Sequence, residues 1–370
     1  MRPMPRVIGV NLGLVFLVLV AAELVFGTWV FGPSFGSLNL PRAVERRYAV
    51  GHAPAGGIVV YTRDRHGLRG RYAGPDTIGI LALGGSTTNE VYVSDGETWT
   101  DRLGQRFAQA GRALSVVNAG AEGQTTVGHL RNFDVWFPLI PNLKARYILA
   151  YVGVNDMALD ADGTSPDQDR YDRMESPEPF RRAAQFAKNH SVFYRLWRTW
   201  RGMKRAERHQ LVHTSLDHAA FAWTEVSAPV AEPQPGSELD RRLGAYRARV
   251  AALIARIRQE GAEAIVVTQA RSNWRREGGK VLFAHPPDER PNTGAYAETM
   301  LFNRAAMAAC REASAICVDL GSEIEFKPGD FYDHVHTTPQ GSDRIAEFLF
   351  ERLKDQVHYL PAARRAAIPR

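Results

Sequence analysis

Four short segments of this 370-residue chain carry the residue types that ester hydrolysis by a serine requires. Ser86 follows two glycines, Asn155 lies two residues after Gly153, and Asp333 and His336 form a D-x-x-H pair late in the chain. That chemistry needs an activated hydroxyl, an imidazole that takes its proton, a carboxylate that holds the imidazole, and donors for the oxyanion. These four residues supply the reactive side chains.

The first segment is an apolar run of strand length, Thr77 to Leu83, which ends in Gly84 and Gly85 before Ser86. Small residues allow the chain to turn sharply at a strand end. The pattern therefore predicts Ser86 on the rim of a sheet with its hydroxyl pointing outward. The alternative is an ordinary strand-to-helix turn with Ser86 as a helix cap, and this segment alone does not decide between the two.

Two further strand ends follow. The strand at Ser115–Asn118 leads to Gly120, which could present an unobstructed backbone N–H, although a plain turn glycine is the better explanation of this segment alone. The strand at Tyr147–Tyr151 leads to Asn155, whose side-chain amide can donate as an oxyanion hole requires. Asp156 is expected to hold its loop by local hydrogen bonds.

The fourth segment is Phe331 to Gly341, with a helix predicted to begin near Pro339. It offers one carboxylate, Asp333, and two imidazoles within three residues of it. Spacing alone does not decide which of the two imidazoles would be the base.

The chain resembles the SGNH, or GDSL-type, serine hydrolases over roughly 77–360. Each of the four motifs is weak alone, but all four occur in the family's order. They are G-G-S-T at 84–87, N-x-G-x-x-G at 118–123, G-x-N-D at 153–156 and D-x-x-H at 333–336.

The resemblance implies that Ser86 is the nucleophile, that His336 is the general base and that Asp333 orients His336. It leaves His334 as a loop residue. No cofactor or metal is required by this chemistry.

The resemblance also implies an oxyanion hole made of the backbone N–H groups of Ser86 and Gly120 and the side-chain amide of Asn155. One departure stands out, because the family's usual first motif is G-D-S and Gly85 replaces that Asp here. The packing around the turn must therefore differ from the usual pattern.

A metal site elsewhere is not predicted. His209 and His213 are four residues apart, so one helical face could carry both, and His218 follows. No acidic partner or second motif accompanies them.

The segments after residue 76 alternate between strand and helix patterns, which predicts a parallel sheet with helices on both faces. The fold class is therefore α/β, a three-layer α/β/α arrangement with a five-stranded parallel sheet, flavodoxin-like as the resemblance implies. Ligands bind outside the carboxyl ends of such strands, where Ser86, Gly120 and Asn155 fall. The predicted strands are Ile78–Leu83, Ser115–Asn118, Tyr147–Tyr151, Ala264–Thr268 and Ile316–Asp319, and the predicted helices are Glu97–Ala110, Leu239–Glu260, Tyr296–Ala313 and Ser342–Val357.

Residues 157–237 break this alternation directly after Asn155 and are predicted to be an insertion that roofs the site. Phe180 to His218 is helical in character. Within it, residues 193–205 mix aromatic and basic side chains. Such a stretch could lie on an anionic membrane surface or stack on a sugar chain, but aromatic side chains packed inward, with arginines in solvent, are the preferred interpretation.

The amino-terminal segment Val7–Phe31 is almost entirely apolar and long enough to cross a bilayer. Glu23 interrupts it and is costly at mid-depth. Residues 1–33 are predicted to be an uncleaved signal anchor, since Ala21-Ala22 offers only a poor cleavage site for a signal peptide. The arginines before the segment favour a cytoplasmic amino terminus, with the rest of the chain on the periplasmic side.

The remaining organisation follows from composition. Residues 34–76 are predicted to be a tether and an edge loop, 77–360 the hydrolase domain, and 361–370 a basic tail. The net charge is +6 and the pI about 9.4, but no nucleic-acid-binding motif accompanies the arginines, so no nucleic-acid partner is predicted. The sequence does not indicate a protein partner.

The two cysteines, Cys310 and Cys317, do not lie in a metal-binding pattern. A disulfide would fit an exported domain, although two buried thiols are the preferred interpretation.

The leading functional hypothesis is a membrane-anchored esterase that removes O-acetyl groups from an envelope or exported polysaccharide. An acetyltransferase would use the same residues, with a sugar hydroxyl in place of water, and lipids or thioesters are alternative substrates. A non-catalytic glycan-binding assembly protein is the contrasting class.

Overall fold

The computed structural model describes residues 4–27, 29, 40–52, 57–112, 114–161, 178–208, 213–217, 220–227 and 230–357. The strands are β1 Val44–Ala49, β2 Ile58–Arg63, β3 Ile78–Gly84, β4 Val116–Gly120, β5 Ala145–Tyr151, β6 Ala222–Glu225, β7 Glu263–Val267, β8 Trp274–Glu277, β9 Lys280–His285 and β10 Ile316–Val318. The helices are α1 Met4–Phe26, α2 Ser86–Asn89, α3 Trp99–Gln109, α4 Thr126–Val135, α5 Pro179–His190, α6 Val192–Arg208, α7 Glu238–Gln259, α8 Gly294–Glu312, α9 Leu320–Glu323 and α10 Pro339–Leu353.

The central sheet has five parallel strands in the order β10-β7-β5-β3-β4. Successive side chains of a strand point to opposite faces, and β3 shows this directly. Leu81 and Leu83 pack with α4, α7 and α8 on one face, whereas Ile80 and Ala82 pack with α3 and α10 on the other. The predicted three-layer α/β/α fold and its five strands are confirmed.

The helix boundaries are set by local caps. The hydroxyl of Thr98 accepts a hydrogen bond from Asp101 N before α3, and that of Ser237 accepts one from Asp240 N before α7. Thr338 does the same for Gly341 N before α10, where a proline occupies the first turn. The last helix therefore starts at Pro339, as the proline there predicts, and not at Ser342, and it ends at Leu353, before the predicted Val357.

Part of the predicted tether is folded. Strands β1 and β2 form an antiparallel hairpin, and alternate residues of β2 are buried, with Val59 and Tyr61 each 1 % exposed. The tether interpretation of 44–63 is corrected, because the period-two burial of this short strand outweighs the Gly, Pro and Arg content that indicated a linker. The other domain boundaries stay predictions.

A second sheet, β6-β9-β8, is antiparallel and was not predicted. Strand β6 lies inside the insertion 157–237, whereas β8 and β9 lie between β7 and α8. The pairing of β6 with β9 therefore ties the insertion to the main domain.

Helix α1 contains the apolar stretch Val7–Phe26, whose mean hydropathy is 2.4 and whose side chains are exposed. By length and composition this stretch could cross a membrane, and a signal sequence would meet the same criteria.

The prediction of two buried thiols is wrong. Cys310 and Cys317 are joined by a disulfide, with their Cα atoms 5.9 Å apart. The bond links the last turn of α8 to β10. The short turn after α8 places β10 beside the end of that helix.

Candidate active site

The turn after β3 places Ser86 at the carboxyl edge of the sheet, which is one of the two alternatives that the first segment leaves open, and Gly85 rather than Ser86 is the helix cap. Ser86 begins the short helix α2, and the N–H groups of Thr88 and Asn89 both donate to Gly85 O, at 3.1 and 3.0 Å. The Ser86 side chain is nearly buried, with 6 % of the residue exposed. Its hydroxyl is thus held in a fixed position at a sharp strand-to-helix turn.

Three side chains from distant parts of the chain form one line of hydrogen bonds. Ser86 Oγ lies 2.7 Å from His336 Nε2, and His336 Nδ1 lies 2.6 Å from Asp333 Oδ2. Because the carboxylate accepts from Nδ1–H, Nε2 is left to accept the Ser86 proton. This arrangement can activate a serine hydroxyl for attack on an ester.

The loop before α10 explains why His336, and not His334, faces the serine. Asp333 Oδ1 accepts hydrogen bonds from Val335 N at 2.8 Å and from His336 N at 2.7 Å. These bonds fold the loop so that the His336 ring returns to the carboxylate of Asp333. The carbonyl oxygen of His334 instead accepts from Ser272 N at 2.9 Å.

Two of the predicted oxyanion donors lie at this edge. Asn155 Nδ2 donates to Gln124 O at 2.9 Å, and a primary amide has a second N–H to donate. Within the described part of the chain no hydrogen bond uses the N–H of Ser86. Both groups therefore retain a donor for a negatively charged oxygen.

The predicted oxyanion role of Gly120 is corrected. Its N–H donates to Asn118 Oδ1 at 2.9 Å and so is already satisfied. A Cβ built on Gly120 would lie 2.3 Å from Asn89 N, so this glycine allows α2 to pack on the end of β4. Gly120 therefore allows the close packing of α2, and its N–H is not free to act as an oxyanion donor.

The second glycine of the same motif fits the donor role better. Gly123 has a left-handed φ of +68°, and a Cβ built on it would have no neighbour within 4 Å. No hydrogen bond among the described residues uses its N–H, and the next residue, Gln124, contacts Asn155. The N-x-G-x-x-G spacing contained this alternative, but only its first glycine was assigned.

Gly85 is explained by the position of Asn155. A Cβ built on Gly85 would lie 2.2 Å from Asn155 Nδ2, closer than two such atoms can approach. A side chain at residue 85 would therefore displace the amide. The departure from G-D-S thus matches the packing of this site.

Gly85→Ala is expected to lower kcat by about 100- to 1000-fold, the loss that follows removal of one oxyanion donor. Asn155→Ala should produce a loss of similar size, and the double variant should fall far short of the product of the two. Steady-state kinetics on the three variants checks this. Gly244→Ala is the matched control, since a Cβ on that residue of α7 meets nothing within 4 Å. Wild-type activity in Gly85→Ala would contradict the explanation.

Gln269, which lies outside the four motifs at the end of β7, holds these loops in place. Gln269 Oε1 accepts from Val154 N at 2.7 Å, and its Nε2 donates to Thr87 Oγ1 at 2.7 Å. Gln269 therefore bridges the loop of Asn155 and the helix of Ser86.

Two buried arginines support the same helix from below. Arg69 donates to the carbonyl oxygens of Asn89 and Glu90 at 2.6 and 2.8 Å, and Arg63 donates to Asn89 Oδ1 and Gly120 O. Both arginines come from residues 34–76, the predicted tether and edge loop, where nothing in the local sequence indicates that they are buried.

Glu90 is a buried carboxyl directly behind the site. Its oxygens accept hydrogen bonds from Trp99 N, Thr337 Oγ1 and Ser342 Oγ. Burial raises the pKa of Glu90 to about 7, because those hydrogen bonds and the charge of Arg69 only partly offset the cost of desolvation. The carboxyl is therefore mostly protonated in mildly acidic solution.

The raised pKa of Glu90 predicts a pH-dependent stability. Between pH 4.5 and 7 the folded state binds more protons than the unfolded state, so the free energy of unfolding should fall as pH rises, by about 3 kcal/mol in total. In Glu90→Gln this decrease should be absent. The free energy of unfolding of the variant, relative to that of the wild type, should therefore rise from pH 5 to pH 8. Chemical denaturation at both pH values measures this. The exposed Glu289→Gln serves as control, and an unchanged pH slope in Glu90→Gln would refute the assignment.

Among its described residues, the insertion contributes His213 to the site. The His213 ring stacks on the His336 ring with centroids 3.9 Å apart. Its Nδ1 lies 2.7 Å from the Tyr332 hydroxyl and its Nε2 3.1 Å from Glu122 Oε2. His213 thus covers His336 from the solvent side, as a roof would. His209 and His218 lie outside the described residues.

The side chains of His213 and Glu122 shift each other's pKa. Burial alone would raise the pKa of Glu122, but the hydrogen bond and charge of His213, aided by the amide of Asn89, lower that pKa to about 2. Burial lowers the pKa of His213, but the hydrogen bond and charge of Glu122 outweigh it and the net shift is upward. The two groups therefore favour an ion pair across the site.

Ligand atoms of His213, Asp333 and His336 lie within 4.8 Å of one another. Asp333 and His336 are already bound to each other, and His336 Nε2 faces Ser86. The chemistry of this site therefore needs no metal from that group.

Asp156 has a structural role, but the hydrogen bonds of its side chain are long-range and not the local ones that were predicted. It accepts from Thr126 N at 3.1 Å and from Thr126 Oγ1 at 2.5 Å, and Arg249 lies 3.4 Å away. Its carboxylate thereby fixes the start of α4 and the loop that carries Asn155.

Comparison with known proteins adds a family match. The model of the GDSL-like lipase/acylhydrolase family matches residues 82–344, more than half of the chain. A comparison with curated proteins found no match. The matched residues include Ser86, Asn155, Asp333 and His336.

Similar solved structures have low identity. TesA is 15 % identical, with 75 % of this chain and 98 % of that chain covered and a TM-score of 0.40. The psychrotrophic esterase EstA from Pseudoalteromonas sp. is 12 % identical, with 75 % and 97 % covered and a TM-score of 0.38. Axe2, an acetylxylan esterase from Geobacillus stearothermophilus, is 12 % identical, with 75 % and 96 % covered and a TM-score of 0.40.

Proposed function

The chain belongs to the GDSL-like lipase/acylhydrolase family, and from that premise we propose that it hydrolyses an acyl ester with Ser86 as nucleophile. His336 is the general base, and Asp333 orients it. The observation that carries the proposal is the unbroken pair of hydrogen bonds, 2.7 Å from Ser86 to His336 and 2.6 Å from His336 to Asp333. A purely structural set of residues would have no need of this geometry.

Acylation begins when Ser86 Oγ attacks the ester carbonyl carbon while its proton moves to His336 Nε2. Asp333 keeps Nδ1–H in place and stabilises the imidazolium that forms. As the C–O bond breaks, His336 gives the proton to the leaving alcohol. A water then attacks the acyl-enzyme by the same route, and the acid and free Ser86 result.

The oxyanion formed in both steps needs donors that are already in place. We assign the Ser86 N–H, the second amide N–H of Asn155 and, in place of Gly120, the N–H of Gly123. Asn155 is held by Gln124 O and its loop by Gln269. These fixed donors need little reorganisation during the reaction.

The enzyme is proposed to be a single-pass membrane protein, anchored by residues 1–33, with its hydrolase domain on the periplasmic side. The apolar stretch Val7–Phe26 supports the anchor. The disulfide between Cys310 and Cys317 supports export, because such bonds persist mainly in oxidising compartments.

O-acetyl groups on an envelope or exported polysaccharide are the proposed substrate. A small acyl group is favoured as substrate, because the His213 ring lies against His336 and Ser86 is nearly buried. The rings of Tyr92, Tyr332 and His52 pack on one another beside His213, and partly exposed flat rings such as those of Tyr92 and His52 suit a sugar. Transfer to a sugar hydroxyl would use the same residues.

The full chain in detergent, assayed with p-nitrophenyl acetate, butyrate and octanoate, tests the acyl preference. We expect turnover that depends on Ser86 and favours acetate. A preference for octanoate would instead indicate a lipid substrate. Acetylated polysaccharide with and without an unacetylated acceptor then separates the two reactions, since release of free acetate supports hydrolysis and labelled acceptor supports transfer. A folded protein with no turnover beyond Ser86→Ala would favour a glycan-binding role.

A further inference from the structure

A carboxylate in the apolar helix α1 has an unexpected set of partners. Glu23 accepts hydrogen bonds from Ser191 Oγ at 2.5 Å, from Val192 N at 3.0 Å and from Phe193 N at 3.4 Å. Trp29 Nε1 donates to it at 2.9 Å. All of its partners except Trp29 lie at the start of α6, inside the insertion.

These bonds join the insertion to the end of α1. The first N–H groups of a helix have no partner within it, and a negative charge there is favourable. Glu23 supplies both the acceptor and the charge for α6, which offsets the cost of a carboxylate in an apolar helix. Since Glu23 is near the carboxyl end of α1, α6 begins at the level where α1 ends.

Helix α6 presents an apolar face to solvent. Phe193, Leu196, Trp197 and Trp200 recur at the spacing of one helical face, and they are 39, 61, 46 and 57 % exposed. The prediction that the aromatic side chains of this stretch pack inward is wrong for Phe193, Trp197 and Trp200. A face of large exposed apolar residues marks an interaction surface.

The preceding helix extends this surface. In α5, Phe180 is 85 % and Phe186 56 % exposed. The Trp29 ring, just beyond α1, lies 6.2 Å from Phe186 and 5.8 Å from His190 between ring centroids. The apolar surface is therefore continuous from α1 through α5 to α6.

Basic residues predominate in both α5 and α6. The sequence of α6 contains five Arg and one Lys against one Glu, and that of α5 contains two Arg and one Lys with no acidic residue. Arg201 lies over the Trp197 ring at 5.4 Å, so a cation flanks the apolar face. Basic side chains beside an aromatic face suit anionic lipid headgroups.

We propose that the α5–α6 hairpin lies in the surface of an anionic bilayer beside α1, with its aromatic face in the headgroup and acyl boundary. The proposal rests on α1 being the membrane anchor. Shortly after α6 ends, His213 stacks on His336. The bilayer thus holds the roof of the active site, and the enzyme acts on esters presented at the membrane surface.

Site-directed nitroxide labels on the full chain in nanodiscs of phosphatidylglycerol and phosphatidylcholine test this. Both native cysteines are disulfide-bonded, so labelling is directed to an introduced cysteine. L196C reports on the α6 face, L17C on α1, and Q259C, an exposed position at the far end of α7, is the water-facing control. Frequent collision of the label with oxygen indicates a lipid environment, and frequent collision with a nickel chelate indicates exposure to water.

We expect L196C to lose nickel accessibility and gain oxygen accessibility relative to Q259C, with L17C deeper still. A buried L17C with a water-exposed L196C would overturn the hairpin proposal and leave the anchor intact. A water-exposed L17C would overturn the anchor and the proposal together. Dipolar broadening between L196C labels would show that a second copy covers this face, and would also overturn it. Retention of the nickel loss in phosphatidylcholine alone would overturn the preference for anionic lipid.

Discussion

Ser86→Ala is expected to lower kcat by about 10⁶-fold, because removal of the nucleophile of a serine triad costs nearly as much as removal of the whole triad. The Ser86 hydroxyl is the atom that His336 Nε2 contacts at 2.7 Å, and no other hydroxyl is bonded to that imidazole in the described structure. Steady-state hydrolysis of p-nitrophenyl acetate measures the loss.

The matched control for this change is Ser314→Ala. Ser314 is exposed in the turn after α8, at the opposite edge of the sheet from Ser86. This variant should keep its activity, and both variants should unfold at nearly the wild-type temperature. A Ser86→Ala protein that retains activity within tenfold of wild type would contradict the assignment.

Asp333→Asn is expected to lower kcat by about 10⁴-fold, as the same change does in a serine triad. The two oxygens of Asp333 accept three N–H groups, from Val335 N, His336 N and His336 Nδ1. The loop N–H groups keep the amide oxygen, so the new NH₂ faces Nδ1. That contact favours a proton on Nε2, which can no longer accept from Ser86.

Asp330→Asn separates this effect from a loss of stability. Asp330 is equally buried, three residues earlier, and its carboxylate binds Arg344 and Lys327 N. Its replacement should lower the melting temperature without a loss of kcat of comparable size. If both Asn variants lose activity in proportion to stability, Asp333 has a structural role only.

The strand ends were predictable because their signals are local. The apolar run before Gly84 and the glycine near Asn155 each indicate where a strand ends. Parallel strands bring their carboxyl ends to the same edge of the sheet. The D-x-x-H spacing predicts that the two side chains lie close together, since Asp333 and His336 share one short loop. The position of the reactive side chains therefore follows from patterns a few residues long.

The choice of oxyanion glycine could not be made in the same way. Gly120 and Gly123 belong to one motif, and which N–H is free depends on a bond from Asn118 to Gly120 and on the backbone angles of the turn. The sequence contains both glycines but not the direction of their peptide groups.

Long-range contacts account for the other differences. Arg63 and Arg69 are buried because oxygen atoms from distant parts of the chain accept their hydrogen bonds, Gly120 O from Arg63 and Asn89 O from Arg69. His213 reaches His336 across more than a hundred residues of sequence. Glu23 reaches α6 over a similar separation. Each residue appears as an ordinary charged or aromatic side chain until the fold supplies its partner.

The most direct test of the central claim is covalent labelling of the full, folded chain by a fluorophosphonate, followed by mass spectrometry of its peptides. A serine made nucleophilic by His336 should form a single adduct, on Ser86, and Asp333→Asn should slow its formation. Absence of an adduct on Ser86 in folded protein, or an adduct on another serine, would contradict the assignment of Ser86 as nucleophile.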